Sequence, residues 1–237
     1  MVLITSLSPK HINKNIQQKA IDSWVKLGLK CFSFNHPSEL PSLRNYKNII
    51  FIEAQQTMKH VFGKHYVTIS EMINWARRQE SEHFCFINSD IELADDARTL
   101  NVIKANLDVG KMVVVNRNDY DKNKSNTTVY HLGIDAFFMN DKHLEIYPPS
   151  LLCMGQCFWD YNIPFTAIKN NIEVINLQNK FVFHKKHNVQ YSPKNWEITG
   201  KYFMLEHGLN QFAESEVGRM NQVTDNFLKL NMKKVML

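Results

Sequence analysis

The chain has 237 residues, 44% of them hydrophobic and 22% charged, enough to bury one large core and too little for several. Its 28 Lys and Arg against 23 Asp and Glu leave a net +5, which suits a small anionic ligand as well as nucleic acid and excludes neither. No apolar run approaches the roughly 20 residues of a transmembrane segment, and the start MVLITSLSP reads as a buried strand rather than a secretory signal.

Short apolar runs alternate with helical patterns through the first half of the chain. Residues 2–5 form the first expected strand, and Ile16, Ala20, Ile21, Trp24 and Leu27 repeat at helical spacing over residues 12–27, closed by Gly28. Strands follow at 31–34 and 49–52, the latter ended by Glu53. Thr68 or Ser70 caps a helix through Gln79, with Ile69, Met72, Ile73 and Ala76 inward. Residues 84–87 make a fourth strand, and Asn88-Ser89-Asp90 stands at its end. Asp95 and Asp96 suit the positive end of a helix reaching about Leu107, and a strand returns at 112–115.

The polar stretch 116–128, with Arg117, Asp119, Asp121, Lys122 and Lys124, reads as a mobile loop beside the site. A strand at 131–139, a turn at Pro148-Pro149, a helix near 158–167 and strands at 174–177 and 181–184 complete the main part. Beyond Pro193 the apolar spacing of Phe203, Leu205, Leu209, Phe212, Met220, Val223, Phe227 and Leu230 is helical. The expected architecture is α/β: a Rossmann-like, mainly parallel central sheet flanked by helices, with a helical C-terminal tail. The main domain is expected over 1–192 and a helical extension packed on it over 193–237, whose apolar positions also fit a homodimer. Cys31, Cys85, Cys153 and Cys157 form no C-x-x-C pair and lie in or beside apolar runs, as reduced buried thiols of a cytoplasmic protein do.

In an open parallel sheet, ligands bind beyond the carboxyl ends of the strands. Asp90 occupies such an end, where a carboxylate offers a hard oxygen to Mg²⁺ or Mn²⁺; an Asp there serves equally as a turn or helix cap. G-x-G-x-x-G, G-x-x-x-x-G-K-[ST] and G-x-S-x-G are all absent, which removes the main support for dinucleotide, P-loop and α/β-hydrolase readings.

The segments CFINSDIEL, HLGIDAFFM, PPSLLCMGQCFWDYNIP and FVFHKKHN, in that order, resemble the nucleotide-diphospho-sugar transferase superfamily, the glycosyltransferases of GT-A fold. The resemblance spans roughly residues 2–191 and implies a metal-binding Asp-x-Asp motif, reduced here to Asn88-Ser89-Asp90, with Asp90 left as the ligand. It implies a further Mn²⁺ or Mg²⁺ ligand from His184 in His184-Lys185-Lys186-His187, unless both histidines belong to an exposed basic patch. Asp135 falls on the acceptor side and Asp160 where inverting members place the base, although a strand-end cap and a helix-start carboxylate are the plainer readings. Thr5, Ser6, Asn35 and Glu53 are implied at the base or ribose, and Lys64 at the diphosphate.

The implied activity is metal-assisted sugar transfer from a nucleoside-diphosphate sugar to a glycan or other hydroxyl acceptor, with inversion through Asp160. A sugar nucleotidylyltransferase needs a glycine-rich loop after the first strand, and SLSPKHINKN has none. A non-catalytic nucleic-acid binder needs striped basic residues, whereas Lys185, Lys186, Lys233 and Lys234 are scattered, so no nucleic acid partner is expected.

Overall fold

A computed structural model describes residues 1–10, 14–187, 192–209 and 211–236. The expected helix start at Ile12 and the ends of the resemblance at Asn188 and Tyr191 lie outside the described residues. In chain order the first elements are β1 (Val2–Thr5), α1 (Lys14–Lys26), β2 (Lys30–Asn35), α2 (Leu40–Leu43), β3 (Ile50–Glu53), α3 (Lys59–Phe62), α4 (Ile69–Ala76), β4 (His83–Ile87), β5 (Ile91–Leu93) and α5 (Ala97–Asp108). They continue with β6 (Met112–Tyr120), β7 (Thr127–Asn140), α6 (Asp141–Leu144), α7 (Trp159–Lys169), β8 (Val174–Gln178), β9 (Val182–Lys185), α8 (Pro193–His207), α9 (Val217–Asn231) and β10 (Lys233–Met236).

The strands form one sheet in the order β10-β8-β6-β7-β4-β1-β2-β3, with β9 paired to β6 and β5 paired to β9. β7 is antiparallel to both β4 and β6, and β5 is antiparallel to β9; the remaining pairings are parallel. Period-2 alternation sends neighbouring side chains to opposite faces. Val2, Ile4, Phe84, Phe86, Met112 and Val114 join one core with α4, α7, α8 and α9. Leu3, Cys85, Ile87, Val113 and Val115 join the other with α1 and α5. The result is a helix–sheet–helix sandwich whose strand ends gather on one edge. Among the described residues no helix is long and apolar enough to cross a membrane.

The Thr68 cap is as the sequence predicts, and Asp96, expected to favour its helix start by charge, also caps it. Thr68 Oγ1 accepts from the Glu71 N–H at 3.3 Å, and Asp96 Oδ1 accepts from the Thr99 N–H at 3.1 Å. The loop expected over 116–128 is instead a hairpin: β6 runs on to Tyr120 and pairs Asp119 with Thr128 and Tyr120 with Thr127 in β7. Several of its polar side chains bond inside the protein. Asn118 Nδ2 donates to the Asn179 and Val182 carbonyls at 3.2 and 3.1 Å, and Tyr120 and Lys124 both bond Glu92. The C-terminal helices end in β10, an unexpected parallel edge strand on β8.

Candidate active site

The polar turn after β4 is fixed from three sides. The Asn88 N–H donates to the Asp135 carbonyl at 3.2 Å, and Asn88 Nδ2 donates to Asp135 Oδ1 at 2.6 Å. Ser89 Oγ donates to Gln17 Oε1 of α1 at 2.9 Å, and the buried Trp24 indole N–H reaches the Ile91 carbonyl at 2.8 Å. Asn88 and Ser89 are thereby spent on holding the turn, and Asp90 is presented at its tip.

Antiparallel pairing of Ile91 with His184 brings β9 beside that tip. Asp90 Oδ2 lies 2.9 Å from His187 Nε2 and 3.7 Å from His184 Nε2, and the two imidazole nitrogens are 3.1 Å apart. One ligand atom from each of the three residues falls within 4.8 Å of the others. Parallel register also sets Asp119 of β6 against His184, and Asp119 Oδ1 sits 3.0 Å from His184 Nδ1. A carboxylate there favours the tautomer with the proton on Nδ1, which leaves Nε2 able to act as a metal ligand. One carboxylate oxygen and two imidazole nitrogens are a donor set that fits a divalent ion such as Mn²⁺.

A second group of charges lies on the β6–β7 hairpin. Arg117 Nη1 is 3.1 Å from Asp135 Oδ2, its Nε is 3.0 Å from Asp119 Oδ1, and the guanidinium lies 4.6 Å from the Tyr130 ring centre. Burial opposes the charge on Arg117, but Asp135 and Asp119 outweigh it and raise its pKa. Gly133 permits this crowding, since a Cβ there would lie 2.6 Å from a Tyr130 ring carbon and 3.2 Å from Asp135 Oδ2.

Asp160 opens α7 behind an irregular approach. Gly155 has φ +80° and Phe158 has φ +67°, a left-handed conformation that costs a non-glycine residue and is found where surrounding structure imposes it. Trp159 is buried against Phe137, with ring centres 5.1 Å apart, and holds the helix start in place. Asp160 Oδ1 accepts from the Tyr161 N–H at 3.1 Å, so part of the helix-start reading is realised. Its carboxyl is crowded by protein yet opens to the cleft. Burial first, and then the charge of Asp135, raise its pKa to about 7.

These groups line one cleft of about 810 Å³, within the range of small-molecule sites. Every residue expected at the site lines it except Thr5, Asn35 and Glu53. Thr5 and Asn35 are wholly buried, and Asn35 Nδ2 is committed to the Leu7 carbonyl at 2.8 Å; Glu53 is exposed at the end of β3, outside the cleft. The sequence does not single out several lining groups: Arg117 and Tyr130 of the hairpin, Gln156, and Trp196 and Asn221 from α8 and α9; His187, the less favoured of the two candidate histidines, lines the cleft as well. Arg117 reads in the sequence as one charge of a polar loop, because strand pairing alone brings it to Asp135. Gln156 is buried, and its Oε1 has no partner among the described residues, an acceptor held ready in the wall. His65, which also lines the cleft, stacks on His36 with ring centres 3.7 Å apart.

No protein-family profile and no curated protein sequence matches the chain. Among solved structures it is similar to S. aureus TarS in complex with UDP-GlcNAc, at TM-score 0.51 and 11% identity over 91% of this chain and 68% of that one. It is equally similar to S. aureus TarS in complex with UDP, at TM-score 0.51 and 13% identity over 91% of this chain and 67% of that one. The fold is that of the GT-A nucleotide-sugar glycosyltransferases.

Proposed function

We propose that the protein is a glycosyltransferase that moves a sugar from a nucleoside-diphosphate donor, of which UDP-sugars are the first to test, to a hydroxyl acceptor with inversion. The observation that carries this reading is that one cleft holds both a divalent-ion donor set, Asp90, His184 and His187, and a carboxyl raised to about 7, Asp160. A Mn²⁺ or Mg²⁺ ion bound there supplies charge neutralisation for a diphosphate leaving group. Lys64, on the same wall, adds a cation toward the phosphates. On the other side Asp160 accepts the proton of the acceptor hydroxyl as its oxygen bonds to the anomeric carbon and the bond from that carbon to the diphosphate oxygen breaks. Asp135, held by Asn88 and Arg117, bonds acceptor hydroxyls and keeps the Asp160 carboxyl basic. All four cysteines are free, and Cys31, Cys85 and Cys153 are buried, which supports action in a reducing compartment such as the cytoplasm.

The test is a thermal-shift panel of UDP, GDP and ADP with and without Mn²⁺. One nucleoside diphosphate is expected to raise Tm only with the metal, and Asp90→Ala is expected to abolish the rise. Equal shifts in wild type and Asp90→Ala, or none with any nucleotide, would sink the proposal.

A further inference from the structure

A second cavity, of about 340 Å³, lies on the α7–α9 face of the sheet. Tyr161 lines it and also lines the active cleft, so the two spaces share a wall immediately after Asp160. A chain of amides crosses its floor. Gln178 Nε2 donates to Asn176 Oδ1 at 3.0 Å, Asn176 Nδ2 donates to Asn116 Oδ1 at 2.8 Å, and Asn116 Nδ2 reaches the Gly133 carbonyl at 3.3 Å. The chain therefore ends on the backbone of a residue that lines the active cleft.

Asn116 and Asn176 are buried on a face where Val114 and Val174, in the same strands, are apolar. Burying amides there costs free energy unless each is paired, and apolar residues could cover the same surface without that demand. Packing alone does not explain their choice. Gln178, at the far end of the chain, is half-buried and lines the cavity.

The charges around the cavity are largely balanced. Asp225 of α9 is ion-paired with Lys229, and Lys234 of β10 is a further cation among the described lining residues. Ile134, Leu228 and Met232 supply an apolar side. Amides that both donate and accept, a paired carboxylate and an apolar wall match a ring that is hydroxylated at its edge and carries C–H bonds on its face.

We propose that this cavity is a carbohydrate subsite, holding an uncharged sugar unit of the acceptor one position removed from the attacking hydroxyl. The proposal rests on the glycosyltransferase reading for its role, since Tyr161 is the shared wall through which the acceptor continues. It predicts that the enzyme prefers an acceptor of at least two sugar units over a single sugar.

The test is saturation-transfer NMR on the full chain with glucose, galactose and N-acetylglucosamine and with cellobiose, lactose and chitobiose. One disaccharide is expected to bind about tenfold more tightly than its monosaccharide. Gln178→Leu, at a half-buried position that tolerates the change, and Asn176→Ala are each expected to remove that advantage while leaving the monosaccharide signal and the nucleotide thermal shift intact. Equal binding of mono- and disaccharides, no saccharide binding, or an advantage that survives Gln178→Leu overturns the proposal. Loss of the nucleotide shift in the wild type, with disaccharide binding retained, sinks the transferase reading and leaves the sugar site standing.

Discussion

Asp160 carries the most direct consequences at the scale of single residues. In the proposed mechanism its ionised form is the base, so turnover is expected to rise with pH through about 7 and level off above. A folded-state pKa above the unfolded value, roughly 4, means that protonation favours the native state. That contribution is complete below about pH 4 and is lost as pH rises toward 7. Asp160→Asn keeps the shape but cannot ionise. It is expected to abolish transfer, match wild-type Tm at pH 4 and exceed it at pH 8; a Tm difference independent of pH would refute the raised pKa.

Asp119 acts one bond further out, through His184. Asp119→Asn is expected to weaken Mn²⁺ binding by about 10–100-fold, followed by electron paramagnetic resonance titration, with nucleotide binding in the absence of metal unchanged. Gly133→Ala drives a methyl group to within 2.6 Å of Tyr130 and is expected to lower kcat/KM while circular dichroism stays native. Of the site, Asp90 was legible because a polar triplet directly follows a run of apolar strand residues. Arg117, Asp119 and His187 were visible as charges, but nothing local shows that they face Asp135, Asp90 or one another. The Asp119–His184 and His187–Asp90 contacts come from β6–β9 and β5–β9 pairing of residues 65 and 97 positions apart, and Arg117–Asp135 comes from the β6–β7 hairpin.

At the scale of elements, most strands built on apolar runs were legible from the sequence, and the three-residue β5 and the amide-rich extension of β6 were not. β6 beyond Val115 places Asn116 and Asn118 inside the sheet, where hydrogen bonds replace the apolar signal that marks a strand. β10 was missed for a different reason: Lys233 and Lys234 lie on an exposed edge, where lysines suit a strand that must not pair further. The α8–α9 contact yields a prediction of its own. A Cβ at Gly200 would lie 2.3 Å from Val217 Cγ1, with Phe158 at 3.2 Å. Gly200→Ala is expected to destabilise the protein by about 1–3 kcal/mol in urea unfolding, and adding Val217→Ala to recover part of the loss. Independent, additive losses would show that the helices do not meet at that point.

For the whole molecule, the question is whether residues 193–237 are an appendage or part of the fold. Phe203, Met204, Val217, Met220, Leu228 and Met232 belong to the same core as β1, β4 and α7, and β10 adds the last strand to the sheet. Phe203 and Val217 are fully or nearly fully buried, so removing these elements would uncover one face of the central sheet at roughly 25 cal/mol for each Å² of apolar surface. Native stabilities are only about 5–15 kcal/mol, so the remainder is not expected to hold its tertiary structure. A chain ending at Ser192 is therefore expected to lose near-UV dichroism and bind a hydrophobic dye, whereas the full chain unfolds in one transition seen alike by fluorescence and far-UV dichroism. Because Trp196 and Asn221 reach the cleft from this same segment, nucleotide and metal are expected to raise that single transition as a unit. A truncated chain that still unfolds cooperatively would mean that the tail rests on a finished domain, and that the active cleft is closed by a separable part.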